Sequence, residues 1–224
     1  MKVGIVRYPG SNCDFDTLNF FKKFGHSPEF IWHKDTKIKN WDLLVLPGGF
    51  AFGDRVYKKA THSFTIDPGV LALKSPAMKI VFHYAKKGLP ILGICNGFQI
   101  LVKAKLLPGR LKQNSSQHFY CDFTTCKVVG KSFFDSSSML NKTYLLPVAH
   151  GYGRFEITKK DYNKISKAGQ VFLEYILPNP NGSYKNIAGV RNEKGNIYGL
   201  MPHPERSPDG KFFIKALEQY VSKR

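Results

Sequence analysis

Cys95 stands in Gly93-Ile94-Cys95-Asn96-Gly97, where the apolar run Leu89 to Ile94 gives out and a helical pattern begins. A thiol at that junction fits a strand, sharp turn, helix arrangement, the nucleophile elbow in sulfur form. Glycines on both sides suit it, because the strained backbone and the close approach of strand to helix leave no room for Cβ atoms. Unpaired N–H groups and the macrodipole at the first turn of a helix favour anionic sulfur, so a thiolate is the expected nucleophile. The competing reading of an isolated cysteine is a small buried apolar residue. An elbow outweighs it when a base stands near by. Cys13, Cys121 and Cys126 show no comparable surroundings and are read as ordinary thiols.

A base and an acid to orient it come from Met201-Pro202-His203-Pro204-Glu205-Arg206. Prolines on either side of the histidine preclude regular helix and favour extended backbone. In an extended chain residues i and i+2 share a face. Glu205 can then hold one imidazole nitrogen of His203 and fix the tautomer that leaves the other for Cys95. The competing reading is a histidine that merely ends a strand. His26, His33, His62, His83 and His118 carry no comparable orienting acid and are taken as packing or surface residues. A third element is Leu44-Val45-Leu46-Pro47-Gly48-Gly49-Phe50, a strand ending in paired glycines. Their bare backbone can bring the Gly49 N–H to a developing oxyanion. The Asn96 N–H, on the residue after the nucleophile, is the second donor. A tight turn without chemistry is the alternative for Gly48 and Gly49.

These residues need a scaffold that brings distant segments together. Through the first ~130 residues short apolar runs alternate with helical periods, the pattern of a parallel sheet covered by helices. Strands are predicted at Val3–Val6, Glu29–Trp32, Leu43–Leu46 and Pro90–Ile94, and helices at Phe15–Phe24, Ala77–Lys86 and Gly97–Ala104. From Phe119 the chain turns β-rich, with segments at Cys121–Val129, Thr143–Val148, Arg154–Ile157, Val171–Ile176, Ile187–Val190 and Ile197–Gly199, in part antiparallel. A last helix is expected over Gly210–Val221. Leu177 to Ser183 reads as a turn cluster, so the expectation is one domain spanning residues 1–224.

Composition bounds the partners. With 42% apolar and 22% charged residues the chain is an ordinary globular one. No run approaches the ~18 apolar residues of a membrane span and no leader pattern precedes the first strand, so a cytoplasmic protein is expected. Four cysteines without a C-x-x-C pair are read as reduced thiols, and no zinc spacing is legible. No phosphate-loop motif is present, so ATP is not expected on this chain. The net charge of +18 raises nucleic acid as a partner, but the lysines are scattered rather than gathered on one arm, and no nucleic-acid partner is expected. A Lys-rich proteome or an acidic protein partner accounts for the charge equally well.

The order P-G-G-F, G-I-C-N-G-F-Q, M-P-H-P-E-R resembles that of class I glutamine amidotransferases. The stretches R-Y-P-G-S-N-C-D at 7–14, G-G-F-A-F-G-D at 48–54, L-L-P-G at 106–109, N-P-N-G-S at 179–183 and I-A-G-V at 187–190 narrow the resemblance to the glutaminase subunits of phosphoribosylformylglycinamidine synthases. The resemblance implies a flavodoxin-like, mostly parallel central sheet flanked by helices, with added antiparallel strands in the C-terminal half. It implies that glutamine is split to glutamate and ammonia through a cysteinyl thioester. The ammonia would pass to a synthetase subunit, where ATP and magnesium drive formylglycinamide ribonucleotide to formylglycinamidine ribonucleotide in purine biosynthesis. A small bridging subunit is a further partner that it admits. Cys95, His203 and Glu205 match the family triad, while Gly48, Gly49 and Gln99 match its glutamine-binding elements; no metal site and no cofactor on this subunit are implied. Two stretches depart from the pattern. Tyr152 in Ala149-His150-Gly151-Tyr152-Gly153 stands where the family has Glu, and the segment from Tyr57 to Gly69 replaces a glycine-rich continuation. Rival readings are another cysteine-dependent glutaminase or thiol peptidase of related fold, and an inactive basic binding protein.

Overall fold

The computed structural model describes residues 1–53, 68–130, 140–176 and 178–223. His62 and most of the departing segment from Tyr57 to Gly69 lie outside them. The first half of the chain gives β1 (Lys2–Arg7), α1 (Asp14–Lys23), β2 (Ser27–Trp32), β3 (Leu43–Leu46), α2 (Met78–Lys87), β4 (Ile91–Ile94), α3 (Asn96–Lys103) and β5 (Arg110–Lys112). The second half gives β6 (Tyr120–Val128), β7 (Thr143–His150), β8 (Arg154–Glu156), α4 (Lys159–Lys167), β9 (Val171–Tyr175), β10 (Ile187–Arg191), β11 (Ile197–Leu200) and α5 (Gly210–Ser222). Among the described residues nine strands form one sheet in the order β2-β1-β3-β4-β11-β10-β9-β6-β7, and β5 pairs with β8 apart from it.

Burial explains the two halves of this sheet. Every residue of β3, β4 and β11 is buried, the continuous apolar run of strands covered on both faces. These strands pair in parallel, as β1 does with β2 and β3. From β11 onward the ladder is antiparallel through β10, β9, β6 and β7. There β7 alternates exposed and buried positions, with one face open to water. Pro147 sits in β7 at the sheet edge, where a missing N–H is tolerated.

The helices carry their own signals. In α1, Asp14 and Asp16 lie in the first turn and Lys22 and Lys23 in the last, which complements the macrodipole. Gly88 closes α2 in the left-handed conformation at φ 72°. The apolar face of α3 packs on β3, β4 and β11, and its Phe98 ring stacks on Phe155 of β8 at 6.2 Å between centroids.

Strands and helices lie within about two residues of their expected places, a normal spread for element ends. Two elements add to the expected set. The helix α4 has the sequence Lys-Lys-Asp-Tyr-Asn-Lys-Ile-Ser-Lys, of which Ile165 alone is buried, so it offers very few apolar residues to mark it. Its start is set by Thr158, whose Oγ1 accepts from the Asp161 N–H at 3.1 Å. The strand β5 has three residues and is held by pairing with β8, which local sequence does not report. Thr158→Ala should lower stability by about 1 kcal/mol through loss of that cap. Phe155→Ala, at a fully buried ring, should cost about 3–5 kcal/mol. Chemical denaturation of the two variants reads the contrast.

Candidate active site

The chain passes from β4 to α3 through a single residue, Cys95, at φ 48° and ψ −102°. A positive φ on a side-chain-bearing residue is strained by roughly 1–3 kcal/mol and persists only where its surroundings impose it. Here they do. The Cys95 N–H donates to the Leu200 carbonyl at 2.8 Å, and the Cys95 carbonyl accepts from the Gln99 N–H at 3.1 Å. A Cβ on Gly97 would run into the Leu46 carbonyl, so glycine is what lets α3 start this close to the end of β3. The Cys95 side chain is buried, with Sγ 3.8 Å from the Ala149 carbonyl oxygen.

His203 and Glu205 form a buried pair, with His203 Nδ1 at 2.7 Å from Glu205 Oε1 and side chains 2% and 1% exposed. The expected extended backbone is corrected. Pro204–Arg206 forms one turn of 3-10 helix, and this turn, rather than the shared face of a strand, brings the carboxylate back to the imidazole. Proline opens the turn at a position whose N–H would go unused. The His203 N–H donates to the Pro147 carbonyl at 2.8 Å, which ties the segment to β7. Nε2 has no oxygen or nitrogen partner among the described residues. Burial opposes protonation of this ring. Glu205 first, then Cys95 and Cys13, outweigh it and hold the imidazole well above the usual histidine range.

Cys13 is a second correction, because it does not have the unremarkable surroundings expected of it. A ligating atom from each of Cys13, His203 and Glu205 lies within 4.8 Å of the others. Such a set has the chemistry to hold a metal, which chain separation hid from a search for spaced ligands. With Nδ1 already bonded to Glu205, the arrangement is that of a hydrogen-bonded pair with a thiol beside it. The signal for Cys13 was its place in the R-Y-P-G-S-N-C-D stretch. Gly48 makes the approach possible, since a Cβ there would lie 2.6 Å from His203 Cε1 and 3.3 Å from Cys13 Sγ.

The remaining expected residues converge on the same place. Gly49, at φ 130°, turns the chain after β3, and its N–H has no acceptor among the described residues. The Asn96 side chain joins two segments, accepting from the Ala51 N–H at 3.0 Å and donating to Gln99 Oε1 at 2.8 Å. Gln99 in turn donates through Nε2 to the Tyr152 carbonyl at 2.7 Å. Tyr152 therefore meets the site through its main chain, a contact that replacing an acid by a phenol leaves in place. The arrangement holds a cysteine sulfur, an imidazole favoured in its charged form, a carboxylate and an N–H without an acceptor among the described residues, a set suited to acyl transfer through a thioester.

Comparison with known proteins agrees with this geometry. Residues 1–215 match the CobB/CobQ-like glutamine amidotransferase domain. The chain is 43% identical to the phosphoribosylformylglycinamidine synthase subunit PurQ of Helicobacter hepaticus, over 97% of each chain. It is 43% identical to the subunit of the same name from Thermomicrobium roseum, over 93% of this chain and 89% of that one. The structure of PurLQS from Thermotoga maritima superposes with a TM-score of 0.84 at 35% identity, covering 98% of both chains. A glutamine amidotransferase from Thermotoga maritima shares the fold, with a TM-score of 0.58 at 19% identity over 100% of this chain and 84% of that one. By sequence over nearly its whole length, and by the fold that sequence builds, the chain belongs to the CobB/CobQ-like glutamine amidotransferase family.

Proposed function

We propose that this chain is the glutaminase subunit of a phosphoribosylformylglycinamidine synthase, and that Cys95, His203 and Glu205 carry its reaction. The observation that bears most weight is the fully buried 2.7 Å pair of His203 and Glu205. The Cys95 thiolate attacks the side-chain amide carbon of glutamine, and the oxyanion that forms is met by the N–H groups of Gly49 and Asn96. The His203 imidazolium gives its proton to the departing nitrogen, ammonia leaves and a thioester remains. Water then adds to the thioester as His203 takes its proton. Collapse releases glutamate and restores the thiolate and the imidazolium. Glu205 stays ionised and holds the ring, while Gly48, Gly49 and Gln99 shape the glutamine pocket.

Ammonia released into water at neutral pH is protonated and loses its nucleophilicity, so the product must cross to its acceptor by a dry route. The synthetase subunit supplies that acceptor, and ATP and magnesium act there to form formylglycinamidine ribonucleotide. All four cysteines are free, which suits a reducing, cytoplasmic setting. Among the described residues no helix is long and apolar enough to cross a membrane.

Two measurements on the complex with the synthetase test the assignment. Cys95→Ala should abolish glutamine-dependent synthesis while ammonium-dependent synthesis persists; glutamine turnover at the wild-type rate would remove Cys95 from the reaction. Glu205→Gln should lower kcat by roughly 10²–10⁴-fold. The same change takes away the main group that raises the His203 pKa, so the ring loses its proton at lower pH. The alkaline limb of the pH–rate profile should move to lower pH. A limb that stays in place would separate His203 from the profile.

A further inference from the structure

The segment 149–153 touches the site twice, through the Ala149 carbonyl at Cys95 Sγ and the Tyr152 carbonyl on Gln99. It has no regular structure after His150, so something else must hold it. His150 is buried at 2% exposure in a ring of polar side chains from distant parts of the chain. Its Nδ1 lies 3.2 Å from Asn114 Oδ1 and its Nε2 lies 3.5 Å from Asn181 Nδ2. Asn114 also receives the Gly153 N–H at 3.1 Å, donates to the His118 and His150 carbonyls at 3.0 and 2.8 Å, and through its own N–H meets the Gly151 carbonyl at 2.8 Å. Asn181 donates to the Gly153 carbonyl at 3.0 Å and accepts from the Ser183 N–H and hydroxyl through Oδ1.

These partners determine the protonation of the ring. Both Asn114 amide hydrogens are spent on carbonyls and its Oδ1 already accepts from Gly153, so its orientation is fixed and His150 Nδ1 must be the donor. Asn181 is fixed likewise, since its Oδ1 serves Ser183; one Nδ2 hydrogen goes to the Gly153 carbonyl and the other is shared between the Tyr175 hydroxyl at 3.3 Å and His150 Nε2 at 3.5 Å, which it meets as an unprotonated acceptor. The ring is the neutral Nδ1–H tautomer. Burial, and behind it the charge on His203, pushes its pKa down to about 3. A Cβ on Gly153 would fall on the His150 ring, so the segment closes tightly over it.

We propose that His150, clamped between Asn114 and Asn181, is a positioning residue of the glutamine site: it sets the segment 149–153 against Cys95 and Gln99 and exchanges no proton in the reaction. This rests on the glutaminase reading above and adds to it a residue that works through other groups. A proton carrier would need a partner that changes protonation during the cycle, whereas both of its ring nitrogens face carboxamides.

The test compares His150→Ala with His150→Asn in the complex with the synthetase. An asparagine amide can take the place of Nδ1–H and donate to Asn114. His150→Ala should lower kcat/KM for glutamine by on the order of 10²-fold, chiefly through KM, as misplacement of a pocket does. Ammonium-dependent synthesis should be unchanged. His150→Asn should restore most of the loss with the wild-type pH profile. Hydrogen exchange at the Gly153 amide should quicken in His150→Ala and Asn114→Ser, and this arm stands whether or not glutamine is turned over. Absence of glutaminase activity in the wild-type complex would therefore strike the functional reading, and unchanged exchange would strike this one. If His150→Ala does not fold, Asn114→Ser carries the same kinetic expectation. An asparagine variant as inactive as the alanine one, or an alanine variant with wild-type KM, overturns the proposal.

Discussion

The parallel register of β3, β4 and β11 is the constraint on which the site depends. Leu46 lies opposite Gly93, and Gly93 opposite Gly199, so the three strands end at one level. Within three residues of each strand end stands a residue of the proposed site: Gly48 and Gly49 after β3, Cys95 after β4, His203 after β11. A slip of one residue would turn every buried side chain of a fully covered strand to the wrong face, so the register is strongly specified. The hydrogen bond from Cys95 N–H to the Leu200 carbonyl extends the ladder one residue beyond the strands, and so carries the strained residue into register with the sheet. This is the usual placement of a site at the carboxyl ends of a parallel sheet.

Placing an ion pair at such a point has a cost. Two charges removed from water lose several kcal/mol of hydration each, and removing one partner of a buried pair costs about 3–5 kcal/mol because the other is left uncompensated. His203 and Glu205 are therefore poor stabilisers, and their placement suits the proposed chemistry instead. The carboxylate keeps the imidazole charged in a place where burial alone would neutralise it. Packing is equally restrictive, since Gly48 has no side chain to spare between His203 and Cys13.

Much of this was legible from residue types. The elbow around Cys95 carries its glycines, Met201 to Arg206 carries base and acid together, and the apolar runs of β3, β4 and β11 announce buried strands. The features that were not legible depend on contacts between distant segments. Cys13 is 190 positions from His203 in the chain and joins it because the Gly48 turn is laid against residues 10–13. The 3-10 turn at Pro204 could not be told from extended backbone, because proline is compatible with both. The helix α4 hides because it is polar nearly throughout and buries only Ile165. The partners of His150 come from positions 114 and 181, each an ordinary loop asparagine in sequence.

The edge strand β7 shows how tertiary contacts complete what the parallel strands begin. Carbonyls at alternate residues of a strand point to the same side, and on an edge strand one side has no strand partner. Leu145, Pro147 and Ala149 are three such residues. Their carbonyls take the Ser207 hydroxyl at 2.8 Å, the His203 N–H at 2.8 Å and the Cys95 sulfur at 3.8 Å. One strand thus meets both the proposed base and the proposed nucleophile, which arrive from different parts of the chain. The same contacts occupy an edge that would otherwise be open to pairing with another chain. Pro147 can stand in the middle of this row because the row uses carbonyls, which proline retains. A shift of β7 along β6 would break its contacts with His203 and with the Cys95 sulfur, so the ladder from Tyr120–His150 to Lys127–Thr143 supports the proposed site although none of its side chains is given a chemical step.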